Sequence, residues 1–272
     1  RQRQMCIRDS DTTPYTILVV DDNPDMTDFL KRTFEGYFKR IIIAGDGVEA
    51  LQLVRSHVPD IIVSDVMMPR MNGYELCKTI KEDIAISHIP VILLTAKDDK
   101  QSLISGYKNG ADGYLSKPFE VEMLMELIRN RLKNREYTKK RYLNAGLIPT
   151  PEESTISLTD ETFLIKLNSI IQENIDNTNL GIQFICQEVG LGRSSLYNKL
   201  KALTGMGANE YISKLRIEKA ITLISGTDMP FSEIAEKTGF TTPSYFSTTF
   251  KQYTGETPSQ YKERKKKGLT DQ

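Results

Sequence analysis

The sequence predicts an α/β doubly wound domain with a five-stranded parallel sheet, followed by an all-α domain with two helix-turn-helix motifs. In the first half, short Val/Ile-rich runs alternate with amphipathic stretches, which is typical of strands buried on both faces of a parallel sheet. In the second half, one helical pattern occurs twice. A chain of 272 residues is long enough for two such domains.

Five apolar runs are the strand candidates of the first half. Helical periodicity lies between and after them, with apolar residues spaced three or four positions apart. In an open parallel sheet, functional groups collect outside the carboxyl ends of the strands, so the residues that follow each run are the informative ones. The strand candidates are Ile17–Val20, Ile41–Ala44, Ile61–Ser64, Val91–Leu94 and Gly113–Leu115.

Polar residues follow four of these strands, at the edge where the carboxyl ends meet. They are Asp21 and Asp22 after the first strand, Asp65 after the third, Thr95 after the fourth and Lys117 after the fifth. Three carboxylates at one edge repel one another unless a cation lies among them. A small set of hard oxygen ligands suits Mg²⁺, which keeps water ligands and accepts a phosphate oxygen. The sequence therefore predicts a Mg²⁺ site at this edge.

The net charge of zero hides an uneven distribution of charge. Residues 15–128 carry 12 basic and 18 acidic side chains, whereas residues 181–267 carry 13 basic and 8 acidic side chains. This difference suggests a cation as partner of the first half and a polyanion as partner of the second. No run of about 20 apolar residues exists, so we expect no membrane contact within this chain. Three cysteines without metal-ligand spacing favour the reducing cytoplasm.

The repeated pattern comprises GLGRSSLYNKLKALTG at 190–205 and GFTTPSYFSTTFKQYTG at 239–255. Each copy follows an amphipathic helix, so each predicts a helix, a glycine turn and a second helix. This is the helix-turn-helix arrangement. A helix over 208–225 would span about 27 Å at 1.5 Å per residue, a spacer that suits two recognition helices about one DNA turn apart. The alternative, a helical bundle with accidental self-similarity, is disfavoured because the register holds throughout the motif.

Over residues 15–131 the chain resembles the receiver domain of bacterial response regulators. The matching segments are ILVVDDN, IIVSDVMMPRMNG, VILLTA and GADGYLSKPF, in that order. The resemblance implies that an aspartate accepts a phosphoryl group from a histidine kinase beside Mg²⁺, and that the peptide bond before Pro118 is cis. The residues implied are Asp65, Thr95 and Lys117 for catalysis, Thr95 and Tyr114 for the switch, and Asp21, Asp22, Asp65 and the carbonyl of Met67 for Mg²⁺.

Over residues 158–265 the chain resembles the AraC-type DNA-binding domain. The resemblance rests on RIEKAITLI, FSEIAEKTGF, YFSTTFKQYTGETPSQY and the double motif. It implies recognition helices at 192–203 and 243–253. Arginine and asparagine have the donor geometry to recognise guanine and adenine edges, whereas lysines hold phosphates. The candidate DNA-binding residues are Arg193, Ser194, Tyr197, Asn198, Lys199 and Lys201 in the first helix, and Ser244, Tyr245, Thr248 and Lys251 in the second.

The resemblances and the Pro/Gly-containing connection between them set the expected domain boundaries. We expect a receiver domain at 15–132, a linker at 133–157 and a DNA-binding domain at 158–267, with tails at 1–14 and 268–272. The polar, basic first residues lack the apolar region of a signal peptide, and the sequence leaves open whether residues 1–13 are native. Alternatively, the chain is the C-terminal part of a hybrid sensor kinase, with the phosphodonor histidine attached upstream.

The expected function is a phosphorylation-regulated, sequence-specific DNA-binding transcription factor rather than an enzyme. Its expected partners are a histidine kinase, promoter DNA, RNA polymerase and a second copy of the chain. A Mg²⁺-dependent phosphatase or phosphotransferase is the rival class, but haloacid-dehalogenase-type enzymes need an acid two residues after the nucleophile, where this chain has Met67. A third hypothesis is a DNA-binding protein whose receiver serves only for dimerisation, which the complete Asp/Thr/Lys set disfavours.

Overall fold

The computed structural model describes residues 14–96, 110–144 and 157–270. They divide into two compact units. The first contains the described residues up to Arg141 together with 157–161, and the second contains Tyr142–Asn144 and the described residues from Thr162 onwards. Residues 1–13 of the expected tail and residues 145–156 of the expected linker lie outside the described residues. The domain boundaries therefore stay predictions.

The first unit contains the five-stranded parallel sheet, with strand order β2-β1-β3-β4-β5. All five strand candidates are confirmed, each extended by one or two residues. The extensions matter because they make Asp65 and Lys117 the last residues of their strands. The strands are β1 Thr16–Val20, β2 Arg40–Ala44, β3 Ile61–Asp65, β4 Val91–Ala96 and β5 Gly113–Lys117.

Helices cover both faces of this sheet, which explains why most strand residues on each face are apolar. Alternate strand residues point to opposite faces, so Leu18 and Ile62 lie in one core while Ile17 and Ile61 lie in the other. Helices α2 and α3 cover the first core, and α1 and α4 cover the second. The helices are α1 Pro24–Phe34, α2 Gly47–His57, α3 Gly73–Glu82 and α4 Val121–Asn144.

The described residues from 158 onwards are helical and confirm both helix-turn-helix motifs. The first motif is formed by α6 and α7, the second by α9 and α10, and the long helix α8 separates them. Each motif turns at a glycine in the left-handed region, Gly190 with φ of 75° and Gly239 with φ of 72°. No helix among the described residues is both long and apolar enough to cross a membrane. The helices are α5 Leu158–Glu173, α6 Ile182–Val189, α7 Arg193–Thr204, α8 Ala208–Gly226, α9 Phe231–Lys237, α10 Pro243–Thr254 and α11 Pro258–Thr270.

Candidate functional site

An acidic cluster lies at the carboxyl edge of the sheet. Asp21 and Asp22 directly follow β1, and Asp65 ends β3. One carboxylate oxygen from each residue lies within 4.8 Å of the other two. Asp21 and Asp65 are only 3% and 8% exposed, whereas Asp22 is exposed. The parallel order of the strands therefore brings together the three acids expected from the sequence.

Lys117, at the end of β5, lies between two of these acids. Its Nζ is 2.9 Å from Asp21 Oδ2 and 2.6 Å from Asp65 Oδ1. Burial alone would lower the pKa of Lys117, but the hydrogen bonds to Asp65 and Asp21 outweigh it and raise this pKa. The lysine is therefore a fixed positive charge inside the acidic cluster. The peptide bond before Pro118 is cis, as the resemblance implied.

The carboxylate of Asp65 is shielded from water and oriented by two donors. Burial raises its pKa above the ordinary value of 3.8, although Lys117 acts in the opposite direction. Its Oδ1 faces Lys117, and its Oδ2 accepts a hydrogen bond from the N–H of Met67 at 3.0 Å. A partly desolvated carboxylate in a fixed orientation is suited to act as a nucleophile.

Thr95 and Tyr114 lie on the two strands that follow Asp65 across the sheet. Thr95 is 3% exposed on β4, directly after Leu94, which is the residue in register with Asp65. Tyr114 lies on β5 and packs, half-buried, against the core that contains Leu18. Thr95 is therefore next to the acidic edge, whereas Tyr114 lies three residues before Lys117 on β5. The role of these two residues as a switch stays a prediction.

The donors of the acidic cluster fit Mg²⁺. Three ionised carboxylates and one ammonium carry a net charge of −2, which a divalent cation balances. All the donors are hard oxygens, and the exposed position of Asp22 leaves room for the water and phosphate ligands that Mg²⁺ retains. The residues that would hold the ion are Asp21, Asp22 and Asp65, with Met67 contributing its backbone carbonyl.

The first recognition helix, α7, presents a polar face to solvent. Arg193, Tyr197 and Lys201 follow one another at intervals of four residues and are all exposed. Ser194 is also exposed, and Asn198 is partly buried beside it. The two cations are donors for phosphates, and the arginine and the amide can also donate to base edges. Four of the residues expected on this face are therefore exposed, and contact with DNA stays a prediction.

Lys199 requires a correction. We expected it to hold a DNA phosphate, but it is 0% exposed and its Nζ lies 5.0 Å from the centroid of the Phe163 ring. Lys199 lies three positions after Leu196 and four before Leu203, so helical geometry places it on the face that packs into the core. This periodicity is visible in the sequence and would have identified Lys199 as buried.

We expect Lys199→Ala to weaken folding rather than DNA contacts. Loss of the buried aliphatic stem and of the contact with Phe163 should lower the free energy of unfolding by about 2–4 kcal/mol. Lys201→Ala, the exposed control, should keep its stability and lower the slope of log K against log[salt] by about 1, as for one lost phosphate contact. Urea unfolding and DNA titrations at several salt concentrations separate these effects. A changed salt slope in Lys199→Ala at unchanged stability would contradict the burial of this residue.

The second recognition helix, α10, presents shorter side chains. Ser244, Tyr245, Thr248 and Lys251 are all exposed, as the prediction requires. The hydroxyl of Thr248 donates to the backbone oxygen of Ser244 at 3.1 Å, so its proton is used within the helix. The Tyr245 ring packs edge-on against Phe240 with centroids 5.8 Å apart, which limits its reach. This helix therefore has few free donors for base edges.

Comparisons with known proteins agree with this geometry. The family model described as "Response regulator receiver domain" matches residues 17–129, and the one described as "Helix-turn-helix domain" matches residues 185–264. The chain is 36% identical over 165 residues to the response regulator MprA of Mycobacterium sp., an alignment that covers 56% of this chain and 70% of MprA.

Longer and shorter proteins also match. The chain is 41% identical over 249 residues to histidine kinase P4 of Formosa agariphila, which covers 92% of this chain and 18% of that kinase. The chain therefore spans less than a fifth of the length of this relative. Among solved structures, the Francisella response regulator 1452 receiver domain is 36% identical, with a TM-score of 0.41 over 44% of this chain and 98% of that one.

Proposed function

Because the chain belongs to the response regulators and carries a receiver domain followed by an AraC-type helix-turn-helix domain, we propose that phosphorylation of Asp65 controls how strongly its two helix-turn-helix motifs bind a promoter. The observation that carries this proposal is the contact of Lys117 with both Asp21 and Asp65 at the edge of the sheet. A buried carboxylate held by a lysine beside two further acids is the arrangement that phosphoryl transfer to an aspartate needs.

Asp65 would accept the phosphoryl group from a phosphohistidine of a histidine kinase. One carboxylate oxygen forms a bond to phosphorus while the P–N bond breaks, and the electron pair of that bond stays on the imidazole nitrogen. Lys117 is placed to hold an oxygen of the transferred group. Bound Mg²⁺ supplies neutralisation of the charge on the phosphoryl oxygens. The hydroxyl of Thr95 then donates to the new phosphate, and Tyr114 turns inward behind it.

The site favours a single phosphorylation over repeated turnover. In a phosphatase or phosphotransferase of the haloacid-dehalogenase type, the residue two positions after the nucleophile is a general acid. Here that residue is Met67, which is 72% exposed and whose N–H is the group that contacts Asp65. Regulation by self-phosphorylation therefore fits this chain better than metabolism of a small substrate.

A receiver used only for dimerisation is also less suitable. Dimerisation alone gives no reason to keep Asp21 and Asp65 buried beside Lys117, because burying charges is costly even when they are paired. The free-energy cost of burying these charges is explained if they take part in phosphoryl transfer. We therefore retain dimerisation as a consequence of phosphorylation rather than as the sole role of the domain.

The partners follow from the same proposal. The histidine kinase is either a separate protein or fused upstream of this chain, an arrangement suggested by the much greater length of the similar kinase P4. RNA polymerase and a second copy of the chain would complete the complex at the promoter. A promoter target would place the protein in the cytoplasm.

Titration of the full chain with promoter fragments tests the proposal. The four conditions combine the presence and absence of acetyl phosphate with the presence and absence of Mg²⁺. We expect DNA affinity to rise about tenfold when both are present, within the range of ordinary allosteric coupling, and to stay unchanged with either alone. Equal affinity in all four conditions would show that the receiver does not control DNA binding.

A further inference from the structure

The loop at residues 66–72 connects β3 to α3 and carries Met67, the expected source of a carbonyl ligand. Gly73 closes the base of this loop, because its N–H donates to the backbone oxygen of Val66 at 3.0 Å. A Cβ at Gly73 would lie 2.2 Å from the backbone oxygen of Asp65, so only glycine fits there. The ends of the loop are therefore fixed directly beside the nucleophile.

The far side of the same loop is held by the β2–α2 connection. The guanidinium of Arg70 forms an ion pair with Asp46 Oδ2. The next residue of each segment is also in contact, because the N–H of Gly47 donates to the backbone oxygen of Met71 at 3.2 Å. The side chain of Met71 fills the space that a Cβ of Gly47 would need, since its Cγ would be only 2.7 Å away. Three different contacts therefore join the two segments.

Asp46 does more than begin helix α2. Its Oδ1 accepts hydrogen bonds from the N–H groups of Val48 and Glu49 at 2.8 and 3.0 Å, which satisfies the first turn of the helix. Asp46 is 2% exposed, and its Oδ2 forms the ion pair with Arg70. A capping residue needs a single acceptor oxygen, so the second contact requires a separate explanation.

The unusual backbone conformation of Arg70 gives a reason for the second contact of Asp46. The φ of Arg70 is 65°, in the left-handed region, which costs a non-glycine residue about 1 kcal/mol or more. Such conformations persist where surrounding contacts fix them, and they cluster at functional sites. Two contacts hold Arg70 in this conformation. The N–H of Met71 donates to the backbone oxygen of Pro69 at 2.7 Å, which closes a tight turn around Arg70, and the guanidinium of Arg70 forms the ion pair with Asp46.

We propose that Asp46 and Arg70 are positioning residues for Mg²⁺, because their ion pair helps to fix the 66–72 loop, which carries the Met67 carbonyl that the resemblance implies as a ligand. This inference rests on the proposed function, since it concerns the ion that the phosphorylation of Asp65 would use. Neither side chain binds the ion itself. They act through the loop that Gly73 and Gly47 hold at its two sides.

Calorimetric titration of the full chain with MgCl₂ tests this role in Arg70→Ala and Asp46→Asn. Both variants lose the ion pair. Asp46→Asn replaces the residue that caps α2 with another good cap, and Arg70→Ala does not change the cap at all. We expect both to weaken Mg²⁺ binding by about tenfold, the lower end of the effect of groups that orient metal ligands. Far-UV circular dichroism and the unfolding midpoint of each variant should match wild type within a few degrees.

Arg55→Ala is the matched control. Arg55, an exposed arginine on α2, also forms an ion pair, with its Nη2 3.2 Å from Oδ2 of Asp83 at the end of α3. That pair does not involve the 66–72 loop. The Mg²⁺ affinity of this variant should equal that of wild type. Suppose that wild type binds Mg²⁺. If both loop variants then bind it equally well, or if Arg55→Ala weakens binding as much as they do, the positioning role is wrong and the proposed function stands. If wild type binds no Mg²⁺, both fail.

Discussion

Asp65→Asn is expected to abolish phosphorylation of the full chain by a small phosphoryl donor, and with it any increase in DNA affinity. Asparagine keeps the shape of the side chain but has no carboxylate to attack phosphorus, so the effect is complete rather than partial. Mass spectrometry of the intact chain after incubation with acetyl phosphate and Mg²⁺ measures the first loss. DNA titration under the same conditions measures the second.

The control for this experiment is Asp28→Asn. Asp28 is an exposed acid on α1, so its replacement makes the same chemical change outside the cluster. This variant should be phosphorylated to the same extent as wild type. Phosphorylation that persists in Asp65→Asn would show that another carboxylate, such as the exposed Asp22, accepts the group.

The same substitution should also change how stability depends on pH when Mg²⁺ is removed by a chelator. Burial raises the pKa of Asp65 in the folded state, so the folded chain binds this proton more tightly than the unfolded chain does. The resulting stabilisation is fully present below the ordinary pKa of 3.8 and is lost as pH rises through the raised value. Wild type should therefore lose stability relative to Asp65→Asn over that window, which thermal unfolding at a series of pH values would detect.

Gly239→Ala is expected to weaken DNA binding by destabilising the second helix-turn-helix motif. The φ of 72° at this position costs alanine about 1–2 kcal/mol. The new Cβ would also lie 2.3 Å from the backbone oxygen of Ile175 and 2.7 Å from Arg216 Nη2, an overlap that costs about 1–3 kcal/mol more. The sum is a large part of the stability of an ordinary domain. Urea unfolding and DNA titration should both report the loss.

Gly190→Ala is a control that the internal repeat itself provides. Gly190 occupies the same place in the first motif with nearly the same φ of 75°, but a Cβ there meets nothing within 4 Å. This variant should lose only the conformational part of the effect, about 1–2 kcal/mol, and should still bind DNA. Equal losses in the two variants would show that crowding around Gly239 is not the cause. Phosphorylation of Asp65 should be normal in both.

Much of the fold was predictable because its patterns are local. The run from Ile61 to Val63 is apolar at every position, which a strand covered on both faces requires, and the structure buries all three residues. The acids of the site were predictable for a related reason. Once the strands are parallel, Asp21 and Asp65 must emerge at the same edge, and the backbone brings them together without any further information.

What the sequence did not show depends on contacts between distant segments. The pairing of Asp46 with Arg70 joins two loops, and neither the ion pair nor the φ of 65° at Arg70 leaves a periodic signal. Asp46 was not predicted as a site residue, although an acid three residues before Glu49 is typical of the start of a helix. Lys199 failed differently, since the expectation that a lysine is exposed outweighed a helical spacing that indicated burial.

The hydrogen bond from Thr248 to the backbone of its own helix has a consequence for the base sequence of the DNA sites that the protein would bind. If α7 binds DNA as proposed, a base change would remove a partner from Arg193 or Asn198, and selection should preserve the original base. If α10 binds DNA as proposed, it has few donors that depend on a particular base, so substitutions in the DNA should accumulate there. Aligned binding sites should therefore show one half-site rich in information and another close to background, with spacing kept between them.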